Sequence, residues 1–241
     1  MKRNVFVTGS SRGIGFAIAK EFAYLGDRVV LNCRTDGDRL AEALDELKGY
    51  DTMGILADMS DYKAAEQAFL SIKEKFGPVD ILVNNAGSEY FGLFTDMNPC
   101  DIRKVLDNNL HTVFNATHLA AKDMVRAKSG IIINISSIWG RVGASCEAVY
   151  SAAKGAVNSF TLSMAKELGP SGIRVCAVAL GLMETRMNDR LSPEERAEIL
   201  ENISLMRIGK PEEAAKLVRF LASEDAAYLS GQIIGLDGGM Y

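Results

Sequence analysis

Seven short apolar runs alternate with stretches of helical period along this chain, and that alternation restricts the fold more than any other feature. The runs are residues 5–7, 28–33, 53–57, 80–83, 130–135, 173–178 and 232–236. Between them, apolar residues recur every three or four positions: Ile18, Ala19 and Phe22; Leu40, Leu44 and Leu47; Ala65, Phe69, Ile72 and Phe76. Such spacing predicts helices over 38–48, 62–76, 100–126, 148–168 and 211–222. Strand and helix repeated at this length give a parallel α/β sheet with helices on both faces. The run at 130–135 reads as an all-apolar central strand. No repeat, linker or low-complexity stretch interrupts the chain, so one domain is expected over 1–241.

In such a sheet ligands bind beyond the C-terminal strand ends. The first run ends in Thr8-Gly9-Ser10-Ser11-Arg12-Gly13-Ile14-Gly15, followed by a helical pattern. Glycines in a strand–helix turn let the backbone approach a pyrophosphate, and the helix start offers free N–H groups. The pattern is G-x-x-x-G-x-G and not the commoner G-x-G-x-x-G. The second run ends in Cys33-Arg34, where a carboxylate for a ribose 2′-hydroxyl is expected. A guanidinium there suits a 2′-phosphate, and Arg12 offers a second contact. Two ordinary surface arginines are the alternative; their place at both expected loops favours NADP over NAD. Asp58, after the third run, can accept from an adenine amino group, and Ser60 or Asp61 caps the next helix. Asn84-Asn85-Ala86-Gly87 follows the fourth run, and Ser136-Ser137 the fifth, in the same crevice.

Tyr150 and Lys154 are four apart on a predicted helix and share one face. Phenols ionise near pH 10, and an ammonium alongside is expected to draw that value down. A half-buried tyrosine beside a snorkelling lysine has the same spacing. Asn109 lies mid-run on the predicted 100–126 helix, where an amide finds a local partner and no role follows from pattern. Residues 180–205 have mixed polarity and little periodicity until Pro193 starts a helix; they are the expected substrate lid.

Net charge is −4 with no Lys/Arg run, which disfavours nucleic acid. The first apolar run is too short for a membrane span or signal core, so no membrane association is expected. Four cysteines lack C-x-x-C spacing and two histidines sit at His111 and His118, leaving no basis for a metal site. Reduced thiols in the cytoplasm are the simplest account, and the histidines read as packing or interface residues.

Together these motifs resemble the short-chain dehydrogenase/reductase family along nearly the whole chain. The resemblance rests on 8–15, Asp58, 84–87, Asn109, Ser137 and Tyr150-x-x-x-Lys154. It implies a single Rossmann domain with a seven-stranded parallel sheet, NADP(H) as cofactor, and reduction of a carbonyl. Tyr150 then gives the proton, Ser137 bonds the substrate oxygen, Lys154 binds the nicotinamide ribose and Asn109 supports a water relay. The implied cofactor contacts are Gly9, Ser11, Arg12, Gly13, Ile14, Gly15, Arg34, Asp58, Met59, Asn85, Ala86, Gly87, Tyr150, Lys154, Gly181, Met183 and Thr185. A homotetramer, with the 100–126 and 148–168 helices across an interface, is also implied. One departure stands out. Leu180-Gly181 replaces the family's Pro-Gly, which puts the loop geometry in question because proline fixes φ.

Within the family, Arg207-Ile208-Gly209-Lys210-Pro211 and the ending at Asp237-Gly238-Gly239 resemble 3-oxoacyl-[acyl-carrier-protein] reductases. The segment 88–94 lacks their Thr-Arg-Asp run. The stretches 136–140 and 143–147 are similar to a bacterial group that reduces a 5-aminopentanone on elongation factor P. The substrate is therefore a ketone on acyl carrier protein or on elongation factor P. Trp139, Cys146 and Glu147 either line its pocket, with Glu147 meeting an amine, or Trp139 packs under the loop and Glu147 caps the helix. Cys146 is no nucleophile, because no nearby histidine is indicated. The competing class is a cofactor-binding sensor without catalysis, which has no need of Ser137, Tyr150 and Lys154 together.

Overall fold

The computed structural model describes residues 2–185 and 193–240. Its seven strands are β1 (Asn4–Val7), β2 (Arg28–Cys33), β3 (Thr52–Leu56), β4 (Ile81–Asn84), β5 (Gly130–Ser137), β6 (Ile173–Leu180) and β7 (Ile233–Leu236). They form one parallel sheet in the order β3-β2-β1-β4-β5-β6-β7. Strand order reverses between β1 and β4, so the loops leaving those two strands run apart and open a crevice.

Alternation along the strands supplies two cores. Val5 and Val7 of β1, with Ile131 and Ile133 of β5, face α1 (Gly13–Tyr24), α2 (Gly37–Glu46) and α9 (Pro211–Leu221). Phe6, Leu82, Ile132 and Val175 face α3 (Tyr62–Phe76) and α5 (Thr112–Ala127) on the other side. Each fully buried isoleucine or phenylalanine contributes about 1.5–3 kcal/mol. Caps fix the helix starts: Asp61 accepts from the Ala64 N–H at 2.9 Å and Asp36 from the Arg39 N–H at 2.9 Å. Asn98 caps α4 (Pro99–Leu106), with Pro99 in its first turn.

Three expectations are corrected. The 100–126 helix is not continuous: α4 and α5 are separated by a π-helical turn, Asp107–His111. Asn109 Nδ2 donates to the Val105 carbonyl four residues back, at 2.9 Å. A side chain that takes that acceptor displaces the backbone N–H, and the turn widens. The 130–135 run is not all-apolar either, because Asn134 is fully buried within β5. It accepts from Asn84 Nδ2 at 2.9 Å and donates to Thr161 Oγ1 at 2.8 Å; Asn84 also donates to Thr117 Oγ1. A polar ladder thus runs along one face of the sheet, from α5 over β4 and β5 to α7 (Ala148–Leu168). Finally, β5 runs on to Ser137, and a short helix, α6 (Trp139–Val142), follows it.

Of the lid expected over 180–205, residues 186–192 lie outside the described residues. Helix α8 (Pro193–Glu201) begins at the proline that the sequence singled out. Among the described residues no helix is long and apolar enough to cross a membrane.

Candidate active site

The loops after β1 and β4 are stitched together by Thr8 and Asn85. Thr8 Oγ1 accepts from the N–H groups of Asn85 and Ala86, each at 3.0 Å. Asn85 Nδ2 returns bonds to the carbonyls of Thr8 (3.0 Å) and Gly9 (2.9 Å). This closeness requires glycine. Gly9 has φ +61°, and a Cβ there would lie 2.8 Å from Ala86 Cα. At Gly15 a Cβ would meet the Gly9 carbonyl and the Asn85 amide.

The crevice is one cavity of about 1460 Å³. Gly9, Ser11, Arg12, Gly13, Ile14 and Gly15 line it beside the glycine turn, and Arg34, Asp58 and Met59 line it at the ends of β2 and β3. Asn85, Ala86 and Gly87 after β4, and Gly181, Met183 and Thr185 after β6, line it as well. Asn109, Ser137, Tyr150 and Lys154 complete it. The structure therefore brings every sequence-predicted site residue to one cavity.

A dinucleotide fits these residues. Helix α1 starts at Gly13 with no side-chain cap and no acidic residue in its first turn. Its free N–H groups and positive dipole end lie where Gly13, Ile14 and Gly15 line the cavity, which suits a pyrophosphate. Gly87 leaves room beside Asn109: a Cβ there would lie 2.6 Å from Asn109 Oδ1. That Oδ1 is buried with no hydrogen-bond partner, and it is the kind of acceptor a bound ligand or water satisfies. After β3, Asp58 Oδ1 accepts from Ser60 N (2.9 Å) and Ser60 Oγ (2.7 Å). Arg34 Nη1 donates to Asn108 Oδ1 at 2.6 Å.

The catalytic candidates come from three elements. β5 delivers Ser137, whose Oγ accepts from the Trp139 N–H at 3.2 Å. α7 carries Tyr150 and Lys154 one turn apart. The Ser137 hydroxyl acts on the Tyr150 phenol, favouring its ionised form. Lys154 is 4% exposed; its Nζ donates to the Ile135 carbonyl at 3.0 Å and lies 5.6 Å from the Tyr150 ring centroid. Asn109 Nδ2 donates to the Ser88 carbonyl at 2.7 Å.

The expected lowering of the Tyr150 pKa is not found. Burial raises it well above the ordinary phenol value, Glu147 raises it further, the Ser137 hydrogen bond opposes this, and Glu89 adds to it. The reason is that burial works on both partners. Lys154 is itself driven down to about 8 by desolvation. The groups that move the phenol are burial, the two carboxylates and Ser137, and burial is the largest of them. Tyr150 stays protonated through neutral pH and can serve as an acid.

Glu147 occupies the N-cap position of α7, yet its side chain makes no capping bond there, and it lines the cavity. Trp139 also lines the cavity. Cys146 takes a left-handed conformation, φ +63°, and is absent from the cavity wall. At Leu180-Gly181 the backbone is tied to both neighbouring strand ends: the Leu180 carbonyl accepts from the Ile138 N–H at 2.9 Å, and Gly181 N donates to Leu236 O at 3.0 Å. His111 Nδ1 lies 2.7 Å from Asp107 Oδ1, and His118 Nδ1 lies 3.1 Å from the Tyr62 hydroxyl.

Pattern reading passed over Asn32 and Asn108. Asn32 Oδ1 accepts from Gly9 N at 3.1 Å, while its Nδ2 donates to the carbonyls of Ile55 and Ala57. It ties three strand ends under the glycine turn. An asparagine inside an apolar strand run was the available signal, since a buried amide must find partners.

Residues 3–196 match the family model described as short chain dehydrogenase. The chain is 38% identical to the uncharacterized oxidoreductase YmfI of Bacillus subtilis (strain 168), covering all of both chains. It is 39% identical to the 3-oxoacyl-[acyl-carrier-protein] reductase FabG of Staphylococcus aureus (strain Mu50), covering all of this chain and 99% of that one. Its fold superposes with TM-score 0.95 on the crystal structure of a candidate gluconate dehydrogenase from Agrobacterium tumefaciens, at 36% identity, over 99% of this chain and 95% of that chain.

Proposed function

The chain belongs to the short-chain dehydrogenase family and is an oxidoreductase, and from that premise we propose that it reduces a ketone to a secondary alcohol with NADPH, acting on 3-oxoacyl groups carried by acyl carrier protein. The observation that carries this reading is the convergence of Ser137, Tyr150 and Lys154 with an orphaned Asn109 Oδ1 in one cavity. A nicotinamide cofactor, when bound, would supply the hydride. Ser137 donates to the carbonyl oxygen and polarises it. Tyr150, kept protonated by burial, gives its proton to the same oxygen as charge develops there. Lys154 and Asn109 would hold the nicotinamide ribose, and Arg34 with Arg12 would bind a 2′-phosphate. The 3-oxoacyl part of the proposal draws on the 39% identity to the Staphylococcus aureus reductase.

The test is NADPH oxidation by acetoacetyl thioester, with Tyr150→Phe as control. Loss of the acid lowers kcat about 10²–10⁴-fold. Equal rates in both proteins remove Tyr150 as acid, and no turnover by either points to a cofactor-binding sensor.

A second reading has its own observation. Glu147 and Glu89 both act on the Tyr150 phenol through their charge. Two carboxylates beside the acid suit a ketone bearing an ammonium, as in the 5-aminopentanone modification of elongation factor P. A panel of acyl-carrier-protein thioester, neutral diketone and aminopentanone-modified protein separates the two readings.

A further inference from the structure

We propose that Asn108, outside the catalytic set, is a positioning residue that fixes Arg34 across the cofactor cleft without neutralising it, and so sets the preference for a 2′-phosphate. The inference rests on the reading of this cleft as an NADP site.

Asn108 is 7% exposed and stands in the π-helical turn. Both ends of its amide are engaged across the cleft. Oδ1 accepts from Arg34 Nη1 at 2.6 Å, and Nδ2 donates to Ser88 Oγ at 2.8 Å. Arg34 itself is exposed at the end of β2. A long exposed guanidinium spreads over many rotamers, and a short bond to a buried amide selects one of them. The chemistry of the anchor matters. A carboxylate in its place would hold Arg34 as well, but would cancel its charge. A neutral amide takes one of the five guanidinium donors and leaves the full charge and the other donors for a dianion.

The same turn serves the catalytic end. Asn109, the next residue, donates to the Ser88 carbonyl at 2.7 Å, while Asn108 holds the Ser88 hydroxyl. Two adjacent amides therefore grip one serine. Widening of the helix at 107–111 places one amide toward Arg34 and the other toward Gly87 and Lys154.

The experiment compares two cofactor fragments that differ only in the 2′-phosphate. Purified full chain is titrated calorimetrically with 2′,5′-ADP and with 5′-AMP, using wild type, Arg34→Ala, Asn108→Asp and Asn108→Leu. We expect wild type to favour 2′,5′-ADP by at least about tenfold and Arg34→Ala to lose that preference. Asn108→Asp, which is nearly isosteric, weakens 2′,5′-ADP about tenfold and leaves 5′-AMP within about twofold. Asn108→Leu shows the same selective loss. If both fragments weaken together in the Asn108 variants, the residue is merely structural and the proposal fails. It fails too if Arg34→Ala loses the preference while both Asn108 variants keep it; the NADP reading then survives. If wild type shows no preference for 2′,5′-ADP, both are overturned.

Discussion

The Lys154 ammonium lies 5.6 Å from the centre of the Tyr150 ring, one helical turn along α7. Both groups are buried, and burial moves them in opposite directions: the amine down to about 8 and the phenol up. Burial thus disfavours the charged form of each, yet below about pH 8 Lys154 still carries its proton beside a neutral phenol.

This gives a signed pH dependence. In the unfolded chain Lys154 keeps its proton up to its ordinary value of 10.5, while in the folded chain it loses it near 8. Between these values the unfolded state binds more protons, so stability rises with pH, by at most about 1.4 kcal/mol per pH unit. Below pH 8 both states hold the proton and this slope vanishes. Tyr150 acts oppositely above its ordinary 10.0, where the unfolded phenol ionises first, so the usable window is 8 to 10. Urea unfolding of cofactor-free wild type and Lys154→Met is the check. Wild type should gain on the variant as pH passes from about 8 to about 9.5; parallel curves count against the buried ammonium.

Gly9→Ala tests the stitching of the β1 and β4 loops. The substitution forces a side chain into a left-handed conformation, at about 1–2 kcal/mol, and drives a Cβ to 2.8 Å from Ala86 Cα. Gly49→Ala is the internal control: its φ is +97°, but a Cβ there meets nothing within 4 Å. The Gly9 variant should melt at least about 4 °C below wild type and lose NADPH binding. The Gly49 variant should keep its binding. Equal losses in the two would show that close approach is unimportant.

The Asn84–Asn134 ladder makes a prediction about non-additivity. Asn134→Leu removes one of the two bonds of Asn84 Nδ2, which keeps Thr117, and the bond that Thr161 Oγ1 accepts, while that hydroxyl still donates to the Val157 carbonyl; each lost bond costs about 1 kcal/mol. Asn84→Leu strands the other side. The double variant removes both partners together, so it should be less destabilised than the two single losses summed, by about 1 kcal/mol or more. Denaturant melts of the four proteins measure this, and additive losses would mean that the two amides do not depend on each other.

Much of the fold was legible because its signals are local. Alternating apolar runs and helical periods gave the strands in order, and Gly9 to Gly15 marked the crevice. Ser137, Tyr150 and Lys154 met as the strand ends and the helical turn required. What escaped was set by partners distant in sequence. The break at Asp107–His111 depends on one amide competing for a carbonyl, which periodicity does not register. The Arg34–Asn108 bond joins residues 74 positions apart. The Tyr150 pKa was misread because spacing shows the ammonium but not the depth of burial around both groups.

Glu147 offers the sharpest test of what the pocket accepts. Its charge opposes ionisation of Tyr150, second only to burial. Glu147→Gln removes that charge with little change of shape. The phenolate becomes easier to form, so in the alcohol-oxidising direction, where Tyr150 must take up a proton, the pH–rate profile should move to lower pH. The same change removes an anion from the cavity wall. If an ammonium-bearing ketone is the substrate, its KM should rise roughly tenfold in the variant, while KM for a neutral diketone stays within about twofold. A shifted pH profile with unchanged selectivity would leave Glu147 acting on Tyr150 alone and would favour the acyl substrate. An unmoved profile would separate Glu147 from the phenol altogether, because a carboxylate that acts on a buried acid cannot be neutralised without altering that acid's ionisation.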